Sequence, residues 1–382
     1  MEKKDSRKGD TPTAKKTVSS NPERNIQSEK DKLEKRIRGT KPPRSVCSES
    51  CAPGFRKVIH PGKPACCYYC VQCAEGEIAN QSDSTGCLSC PLEEWSNERK
   101  DKCIQRSTEF LSYDDPLGIA LTSITVMASV LTAAILVIFI RFNDTPIVKA
   151  NNRNLSYLLL ITLMVCFLCS FIFIGYPNWL TCRLRQAVFG VSFVLSVSSI
   201  LAKTIMVVIA FSATKPNSKF KGWVGPQLSY TLVSLSTLVQ LIICVTWIAW
   251  SSPFPEQNFK SQPGLIIIEC NEGSTTAFWC MLGYMGVLAG ICFIVAFLSR
   301  NLPDSFNEAK FISFSMLVFV SVWLGFIPAY LSTKGKYMVA VEVFAIIASS
   351  AGLLACIFFP KCFIILMRPD KNTKSYLMGK GT

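Results

Sequence analysis

The 382-residue sequence contains a single histidine and few charged residues, and both shortages narrow the possible functions. His60 is the only histidine, and no acid, base and nucleophile cluster near it in the sequence, so enzymatic catalysis lacks its usual groups. Charged residues make up 17% of the chain and hydrophobic residues 49%, an apolar excess that a soluble globular protein does not need. Met1–Lys4 leads into no apolar segment, so a secretory signal is not recognisable. These features argue against a soluble enzyme.

The N-terminal segment is basic and almost free of large apolar side chains. Residues 1–45 hold 14 Lys or Arg and 7 Asp or Glu, which supplies half of the net charge of +14. Such a segment buries too little apolar surface to offset the entropy of ordering it, so the sequence predicts a disordered tail over residues 1–42. Basic tails can bind nucleic acid, but this one has no aromatic residue to stack on bases. We therefore expect no nucleic-acid binding.

A block rich in cysteine follows the tail. Zinc ligation and disulfide bonding both fit its spacing, but adjacent cysteines and a lone histidine weaken the zinc interpretation. So short a segment with few core apolar residues needs covalent links to hold a shape. An odd number of cysteines leaves one thiol for another domain or chain. Asn80 begins a glycosylation sequon, which is typical of an extracellular segment. The nine cysteines are Cys47, Cys51, Cys66, Cys67, Cys70, Cys73, Cys87, Cys90 and Cys103.

Seven apolar segments, each long enough to cross a bilayer, occupy most of the remaining chain. Twenty helical residues span about 30 Å at 1.5 Å per residue. The sequence predicts an all-α membrane protein, a seven-transmembrane helix bundle over 107–368. A small disulfide-rich β/loop domain over 43–106 precedes the bundle, and a short cytoplasmic tail over 369–382 follows it. The predicted spans are about 117–140, 155–174, 188–211, 228–250, 278–298, 312–331 and 339–359.

The distribution of positive charge predicts the orientation of the bundle. With the N-terminus outside the cell, thirteen Lys or Arg fall in the inner loops and C-terminal tail, against five in the outer loops. Cys182 and Cys270 then share the outer side, and we expect them to form a disulfide. The inner surface would face anionic lipid head groups or a heterotrimeric G protein. Its residues are Arg141, Lys149, Lys215, Lys219, Lys221, Arg300, Asn301 and Lys310.

Several motifs resemble those of class C G-protein-coupled receptors. The cysteine spacing is similar to the nine-cysteine domain of that class, and Leu302–Phe311 (LPDSFNEAKF) is similar to the third inner loop of its members. Within the class, two segments look most like vomeronasal type-2 receptors, and the calcium-sensing receptor is the next most similar. These segments are Pro43–Cys51 and Leu331–Tyr337, and the other class motifs are Ala202–Thr204, Trp323–Tyr330 and Phe359–Lys361.

The resemblance also implies a disulfide pattern and a shortened chain. It implies the pairs Cys47–Cys67, Cys51–Cys70, Cys73–Cys87 and Cys90–Cys103. Members of the class carry a bilobed Venus-flytrap ligand domain before the linker, and the cysteine matching Cys66 bridges to it. Here the basic tail stands in that place, so we expect Cys66 to be unpaired and ligand binding at a flytrap to be lost.

Two sets of side chains gain roles through the same resemblance. Lys203 and Glu308 would form an ion pair on the cytoplasmic side that ties spans 3 and 6 together and favours the resting state. Charged residues inside a span are costly, so each of them is a candidate for a functional role. A pocket within the bundle, with a paired Glu342 and Arg185, would be lined by Arg185, Phe189, Phe193, Glu272, Trp323, Phe326, Tyr330, Glu342 and Ile346.

The resemblance implies a receptor of the plasma membrane, with no enzymatic activity and no cofactor or metal. It would carry a pheromone or amino-acid signal to a heterotrimeric G protein, in contact with membrane lipids and as a homo- or heterodimer with another class C receptor. One alternative is a truncated, non-signalling fragment that acts as a decoy or dimer partner. A transporter or channel is less favoured, because seven spans suggest no repeat and contain few polar residues.

Overall fold

The computed structural model describes residues 46–213, 226–300 and 308–372, together with positions 29, 30, 32, 34 and 35. Four residues predicted to face the cytoplasm, Lys215, Lys219, Lys221 and Asn301, lie outside the described residues, as does the side chain of Glu308. The chain divides into two compact units. The first extends to Cys73 and includes Ala79–Cys87, and the second contains Ala74–Ile78 and everything from Leu88 onward. The division falls inside the segment predicted as one domain, 43–106.

The first unit is a two-stranded hairpin held by disulfides. Strand β1 (Phe55–Ile59) pairs antiparallel with β2 (Tyr68–Gln72). Asp83 closes the unit, because its carboxylate accepts a hydrogen bond from the Cys51 N–H at 2.8 Å and lies 3.2 Å from the Lys57 ammonium. The Cys51 amide, followed by Lys57, holds the pKa of Asp83 below its ordinary value. Covalent and charged contacts therefore hold a unit that has little apolar core.

The disulfides of the structure agree with the implied pattern except at one cysteine. The structure contains Cys51–Cys70, Cys73–Cys87, Cys90–Cys103 and Cys182–Cys270. Cys47, however, is bonded to Cys66, and Cys67 is the free thiol, so the expected Cys47–Cys67 pair is corrected here. The physical reason is proximity, because both thiols lie within 4.8 Å of the Cys47 sulfur and either can bond to it.

The second unit begins with short antiparallel pairs. Strand β3 (Glu77–Ile78) pairs with β4 (Leu88–Ser89), and β5 (Glu94–Ser96) pairs with β6 (Cys103–Gln105). Strand β7 (Ser107–Glu109) then leads toward the first long helix. We call Ser107–Asp115 the linker. The end of the helix bundle at which the linker enters is called the linker end.

Seven helices in the described part of the chain are long and apolar enough to cross a membrane, which confirms the predicted seven-helix bundle. The helices are α1 (Pro116–Arg141), α2 (Pro146–Ala150), α3 (Arg153–Phe173), α4 (Trp179–Ala213), α5 (Pro226–Trp250), α6 (Thr275–Ser299), α7 (Glu308–Ser332) and α8 (Lys336–Met367). Of these, α2 is short and does not span the bundle, and a 3₁₀ helix over Pro369–Lys371 follows α8.

Two helices extend well past the predicted spans. Helix α4 begins at Trp179, nine residues before the predicted start, because polar residues interrupt the apolar pattern without interrupting the backbone hydrogen bonds. Helix α8 continues through Pro360 to Met367 rather than ending near residue 359. Lys361 is only 5% exposed and donates a hydrogen bond to Asn151, which gives the buried ammonium a polar partner inside the bundle. Hydropathy therefore located the spans but not their ends.

Helix α4 lies at the centre of the bundle and α5 at its edge. In the most apolar stretch of each helix, 67% of residues are buried in α4 and 22% in α5. The exposed side of α5 is apolar, as Leu235, Leu238 and Val245 show. Outward apolar side chains are what a helix facing lipid requires, because lipid is as apolar as they are. Between α1 and α8, the fully buried rings of Phe139 and Phe358 pack edge to face at 5.4 Å.

A three-stranded sheet covers part of the linker end. Strands β8 (Phe254–Asn258) and β9 (Leu265–Asn271) form an antiparallel hairpin in the loop between α5 and α6. The Cys182–Cys270 disulfide attaches β9 to the first turn of α4. Strand β7 of the linker pairs with β9 in parallel, with Ser107 opposite Leu265 and Glu109 opposite Ile267. The linker is therefore bonded through its backbone to the loop that the disulfide fixes.

Candidate functional site

An ion cluster joins the linker to two helices at the linker end. The Lys336 ammonium lies 3.1 Å from Glu109 Oε1 and 2.8 Å from Asp115 Oδ2. Glu109 ends β7, Asp115 directly precedes α1, and Lys336 is the first residue of α8. The hydrogen bond from Lys336 holds the pKa of Asp115 below its ordinary range. Sequence reasoning counted Lys336 only among the outer positive charges and missed this cluster.

A glycine allows α8 to begin close to the sheet. Gly335 has a φ of 65°, a left-handed conformation that favours glycine. A side chain at this position would also approach Ile267 of β9, since an added Cβ would lie 3.1 Å from Ile267 Cδ1. The turn therefore brings Lys336 to the side of the sheet where Glu109 ends β7.

Five of the nine residues predicted to line a bundle pocket border one small space: Phe189, Trp323, Phe326, Glu342 and Ile346. Trp323 lies at the centre of the aromatic group, with ring centroids 5.6 Å from Phe189, 5.3 Å from Phe193 and 5.1 Å from Phe326. Tyr330 donates a hydrogen bond to Glu272 Oε1 at 2.9 Å. The structure thus brings aromatic side chains of α4 and α7 together. Four of the predicted residues do not border this small space: Arg185, Phe193, Glu272 and Tyr330. Four further residues line the pocket and were not predicted: Phe173, Gln186, Phe278 and Leu282.

The expected pairing of Arg185 with Glu342 stays a prediction. The two buried groups attract each other electrostatically, although Arg185 Nε and Glu342 Oε2 have no hydrogen-bond partner among the described residues. The Arg185 guanidinium lies over the Phe173 ring, 5.4 Å from its centroid. Both charged side chains are nevertheless buried, at 3% and 5% exposure. Gln186, next to Arg185, is equally buried and was the polar signal that sequence reasoning overlooked.

The pocket is nearly closed, and a larger cavity adjoins it. The space bounded by Gln186, Glu342 and Ile346 is about 10 Å³, which is room for about one water molecule. Beyond Trp323 and Phe326, a cavity of about 300 Å³ lies between α6 and α7. Trp323 and Phe326 border both spaces, so they separate the polar pocket from the larger apolar cavity.

A second cluster of buried charge lies at the opposite end of the bundle. Lys203 of α4 donates hydrogen bonds to the Asn151 carbonyl at 3.1 Å and to Ser156 Oγ at 2.7 Å. Lys361 of α8 donates to the side-chain oxygen of the same Asn151. Asn151 completes its bonding through its amide, which donates to the Ile147 carbonyl at 2.8 Å. One residue of the loop between α1 and α3 therefore binds α4 and α8 together.

The structure describes only some of the residues that are predicted to act at this end of the bundle. The Lys203–Glu308 ion pair stays a prediction, because the side chain of Glu308 lies outside the described residues. The four described members of the predicted basic surface are all exposed. They are Arg141, Lys149, Arg300 and Lys310, which all lie at or next to helix ends opposite the linker end.

Comparisons with known proteins decide the family. A family profile described as "7 transmembrane sweet-taste receptor of 3 GCPR" matches residues 111–361, and one described as "Nine Cysteines Domain of family 3 GPCR" matches residues 42–96. The first match covers more than half of the chain. This chain belongs to the class C, or family 3, G-protein-coupled receptors. Members of the family are receptors and not enzymes, and seven membrane-spanning helices imply a multi-pass protein of the plasma membrane.

Two groups of relatives are similar to this class C chain. Vomeronasal type-2 receptor 26 of Mus musculus is 53% identical over 332 residues, which cover 87% of the chain and 39% of the relative. Vomeronasal type-2 receptor 116 of the same species is 48% identical over 90% of the chain and 40% of its own length. The extracellular calcium-sensing receptor of Homo sapiens is 51% identical over 87% of the chain and 31% of its own length. The chain thus spans about two fifths or less of these relatives.

Proposed function

We propose that the chain is a chemoreceptor of the vomeronasal or amino-acid type, which passes a signal from its linker through the bundle to a heterotrimeric G protein. The observation that supports this most is the joint at the linker end. There β7 is bonded to β9, the Cys182–Cys270 disulfide fixes β9 to α4, and Lys336 joins β7 to α1 and α8. A displacement of the linker would therefore act directly on three helices.

The proposed orientation places the cysteine-rich segment outside the cell and the C-terminus in the cytoplasm. The disulfides favour an oxidising compartment for the linker end. The four exposed basic residues at the opposite end favour the cytoplasm. Asn80 is exposed, as a glycosylation acceptor must be. Labelling of an N-terminal tag on intact cells tests the orientation, and labelling of a C-terminal tag instead would reverse it.

At the cytoplasmic end we propose that Lys203 and Glu308 restrain the resting state and that the basic surface contacts the G protein or anionic lipid. Lys203 is buried at 3% exposure and its ammonium already holds α4 against the loop at Asn151. Basal signalling of Lys203→Ala and Glu308→Ala tests the restraint. We expect both variants to signal more than the wild type at equal surface level. Unchanged signalling in both would remove this role.

We also propose a homo- or heterodimer with another class C receptor.

The linker joint has a sharper test, which uses two lysines that are two positions apart. Lys336→Met removes the ammonium that binds Glu109 and Asp115 and keeps a long side chain. Lys334→Met removes an exposed lysine of the same loop and is the matched control. We expect Lys336→Met to change basal second-messenger production at equal surface level, and Lys334→Met to match the wild type. Equal signalling by both variants would contradict transmission through the ion cluster. Absence of signalling in every variant and in the wild type would favour a non-signalling fragment.

A further inference from the structure

An open groove lies at the linker end of the bundle, beside the first turn of α4. Its volume is about 480 Å³, and it lies between the α3–α4 turn and strand β8. Tyr176 and Trp179 line one wall, and the exposed Glu256 lines the other. Both aromatic side chains are more than half exposed. Neighbouring aromatic residues with this much free surface indicate a contact with another molecule or with the membrane.

The walls of the groove are fixed before anything binds. Cys182, in the first turn of α4, is bonded to Cys270 of β9, and β9 pairs with β8. The Cys182 N–H donates to the Asn178 carbonyl at 2.9 Å, so α4 begins directly at the groove. Tyr176 packs edge to face against Phe110 of the linker, with 5.5 Å between the ring centroids. Binding in the groove therefore needs little further ordering of the protein.

Exposed apolar residues place the groove at the edge of the lipid layer. Leu180 lines the groove, and both Leu180 and Leu184, one turn further along α4, are exposed. Apolar side chains that face outward from a membrane-spanning helix contact lipid acyl chains. The almost fully exposed Trp250 ends α5 at the same end of the bundle. Because Trp and Tyr gather where acyl chains meet head groups, Tyr176 and Trp179 lie at head-group level.

Two opposite charges accompany the aromatic wall. The Arg183 guanidinium lies over the Trp179 ring, 4.3 Å from its centroid, and Arg183 Nε has no hydrogen-bond partner among the described residues. Glu256 accepts a hydrogen bond from the Asn271 amide at 2.5 Å, and this neutral donor does not offset its charge. In the described part of the chain, neither Arg183 nor Glu256 forms an ion pair. The groove therefore combines a carboxylate, an aromatic surface and, against that surface, a guanidinium.

We propose that this groove binds the head group of a phosphatidylcholine molecule from the adjoining leaflet. A quaternary ammonium has no N–H to donate, so aromatic faces and a nearby negative charge hold it. Tyr176, Trp179 and Glu256 supply both. The phosphate carries the opposite charge and pairs with the Arg183 guanidinium. The acyl chains then lie along Leu180 and the exposed face of α4.

This combination of groups distinguishes phosphatidylcholine from related molecules. Phosphatidylglycerol has the phosphate without the cation, so its head group gains nothing from Glu256 and is repelled by it. A water-soluble choline ester has the cation but lacks the acyl chains that contact Leu180. Binding of the lipid head group requires only that α4 spans a membrane, so it does not depend on the proposed signalling function.

Native mass spectrometry of the purified full-length chain tests the proposal. The chain is reconstituted in nanodiscs that contain phosphatidylcholine and phosphatidylglycerol in equal amounts and with the same acyl chains. It is then transferred to detergent, and the lipids that stay bound are counted. We expect the wild type to retain about tenfold more phosphatidylcholine than phosphatidylglycerol, because desolvated cation–π contacts favour the choline. Equal retention of the two lipids would overturn the proposal.

Two variants separate the contact with choline from the contact with phosphate. Glu256→Gln removes the carboxylate and keeps the shape of the side chain, so the preference for phosphatidylcholine should fall to about twofold. Glu98→Gln changes an exposed acid outside the groove, is the matched control and should keep the full preference. Arg183→Met should lower the retention of both lipids equally, because both carry a phosphate. A preference that survives Glu256→Gln, or that Glu98→Gln also loses, would contradict the site.

Tyr176→Leu and a soluble competitor complete the test. Tyr176→Leu changes no charge and should reduce the preference for phosphatidylcholine, which covers the case in which Arg183→Met fails to fold. Excess glycerophosphocholine, which has the same head group without acyl chains, should leave the retained lipid in place. Displacement of the lipid by glycerophosphocholine would overturn the proposal in favour of a site for a soluble choline compound.

Discussion

The hydrogen bond between Lys361 and Asn151 offers a quantitative test of how the end opposite the linker is held together. Both side chains are buried, at 5% and 3% exposure, and they join α8 to the loop between α1 and α3. A hydrogen bond to a charged group contributes about 1.5–3 kcal/mol, and a neutral one about 1 kcal/mol. Asn151→Ala loses the charged bond and the neutral bond to Ile147. We therefore expect it to lower the free energy of unfolding by about 3 kcal/mol.

A double-mutant cycle separates the Lys361–Asn151 bond from other effects of each substitution. Lys361→Met removes the ammonium and keeps an apolar stem in the buried site. If the bond is worth about 2 kcal/mol, the double variant should be more stable by that amount than the sum of the single losses predicts. This coupling corresponds to roughly a thirtyfold change in the unfolding equilibrium constant, at about tenfold per 1.4 kcal/mol.

Equilibrium unfolding in mixed detergent micelles measures the four members of the cycle. Asn154→Ala is a matched control at the start of α3, because its amide donates to the Tyr230 hydroxyl at 2.8 Å in an exposed position. We expect the control to cost about 0.5 kcal/mol. A coupling energy near zero, or a loss in Asn154→Ala as large as in Asn151→Ala, would refute the assignment of stability to this buried bond.

Two further predictions concern the linker and the first unit. Gly118→Ala should strongly destabilise the start of α1 in a thermal-unfolding assay, because an added Cβ would lie 1.9 Å from the Ser112 carbonyl oxygen. Gly325→Ala is the control: it has open space around it and should be neutral or slightly stabilising in that assay. Asp83 has a lowered pKa, so its contribution to stability is complete above its ordinary value of 3.8 and is lost as pH falls through the lower folded value. As pH falls through the folded pKa of Asp83, hydrogen exchange of the Cys51 amide should therefore accelerate relative to its intrinsic rate. Asp83→Asn should abolish this pH dependence of the exchange rate. A Cys51 exchange rate that follows the intrinsic rate across these pH values in the wild type would contradict the Asp83–Cys51 contact.

The seven spans could be predicted because crossing a bilayer needs about twenty apolar residues in a row, whatever they later pack against. Helix ends were less predictable, because polar residues can continue a helix once they find partners. Lys361 shows this, since it lies within α8 past the predicted end of the span and donates a hydrogen bond to Asn151. The membrane-spanning architecture is a local property of the sequence, and the length of each helix is a tertiary one.

The polar clusters could be predicted only in part. Lys336 and Asp115 are 221 positions apart, and no spacing rule connects charges at the ends of the first and last spans. Arg185 and Glu342 are both buried, but the position of the guanidinium could not be predicted, because it depends on the Phe173 ring of another helix. Adjacent Cys66 and Cys67 could not be distinguished by sequence, because both lie within reach of the same sulfur.

The parallel pairing of β7 with β9 has a mechanical consequence. Its hydrogen bonds are evenly spaced along the strand, and a pull along Ser107–Glu109 would strain all of them in shear at once rather than open them one by one. The Cys182–Cys270 disulfide prevents β9 from simply following the pull away from α4. The three paired positions of β7 and β9 and the Cys182–Cys270 disulfide therefore form a stiff connection. A small movement along β7 would be passed to the helices with little stretching of this connection.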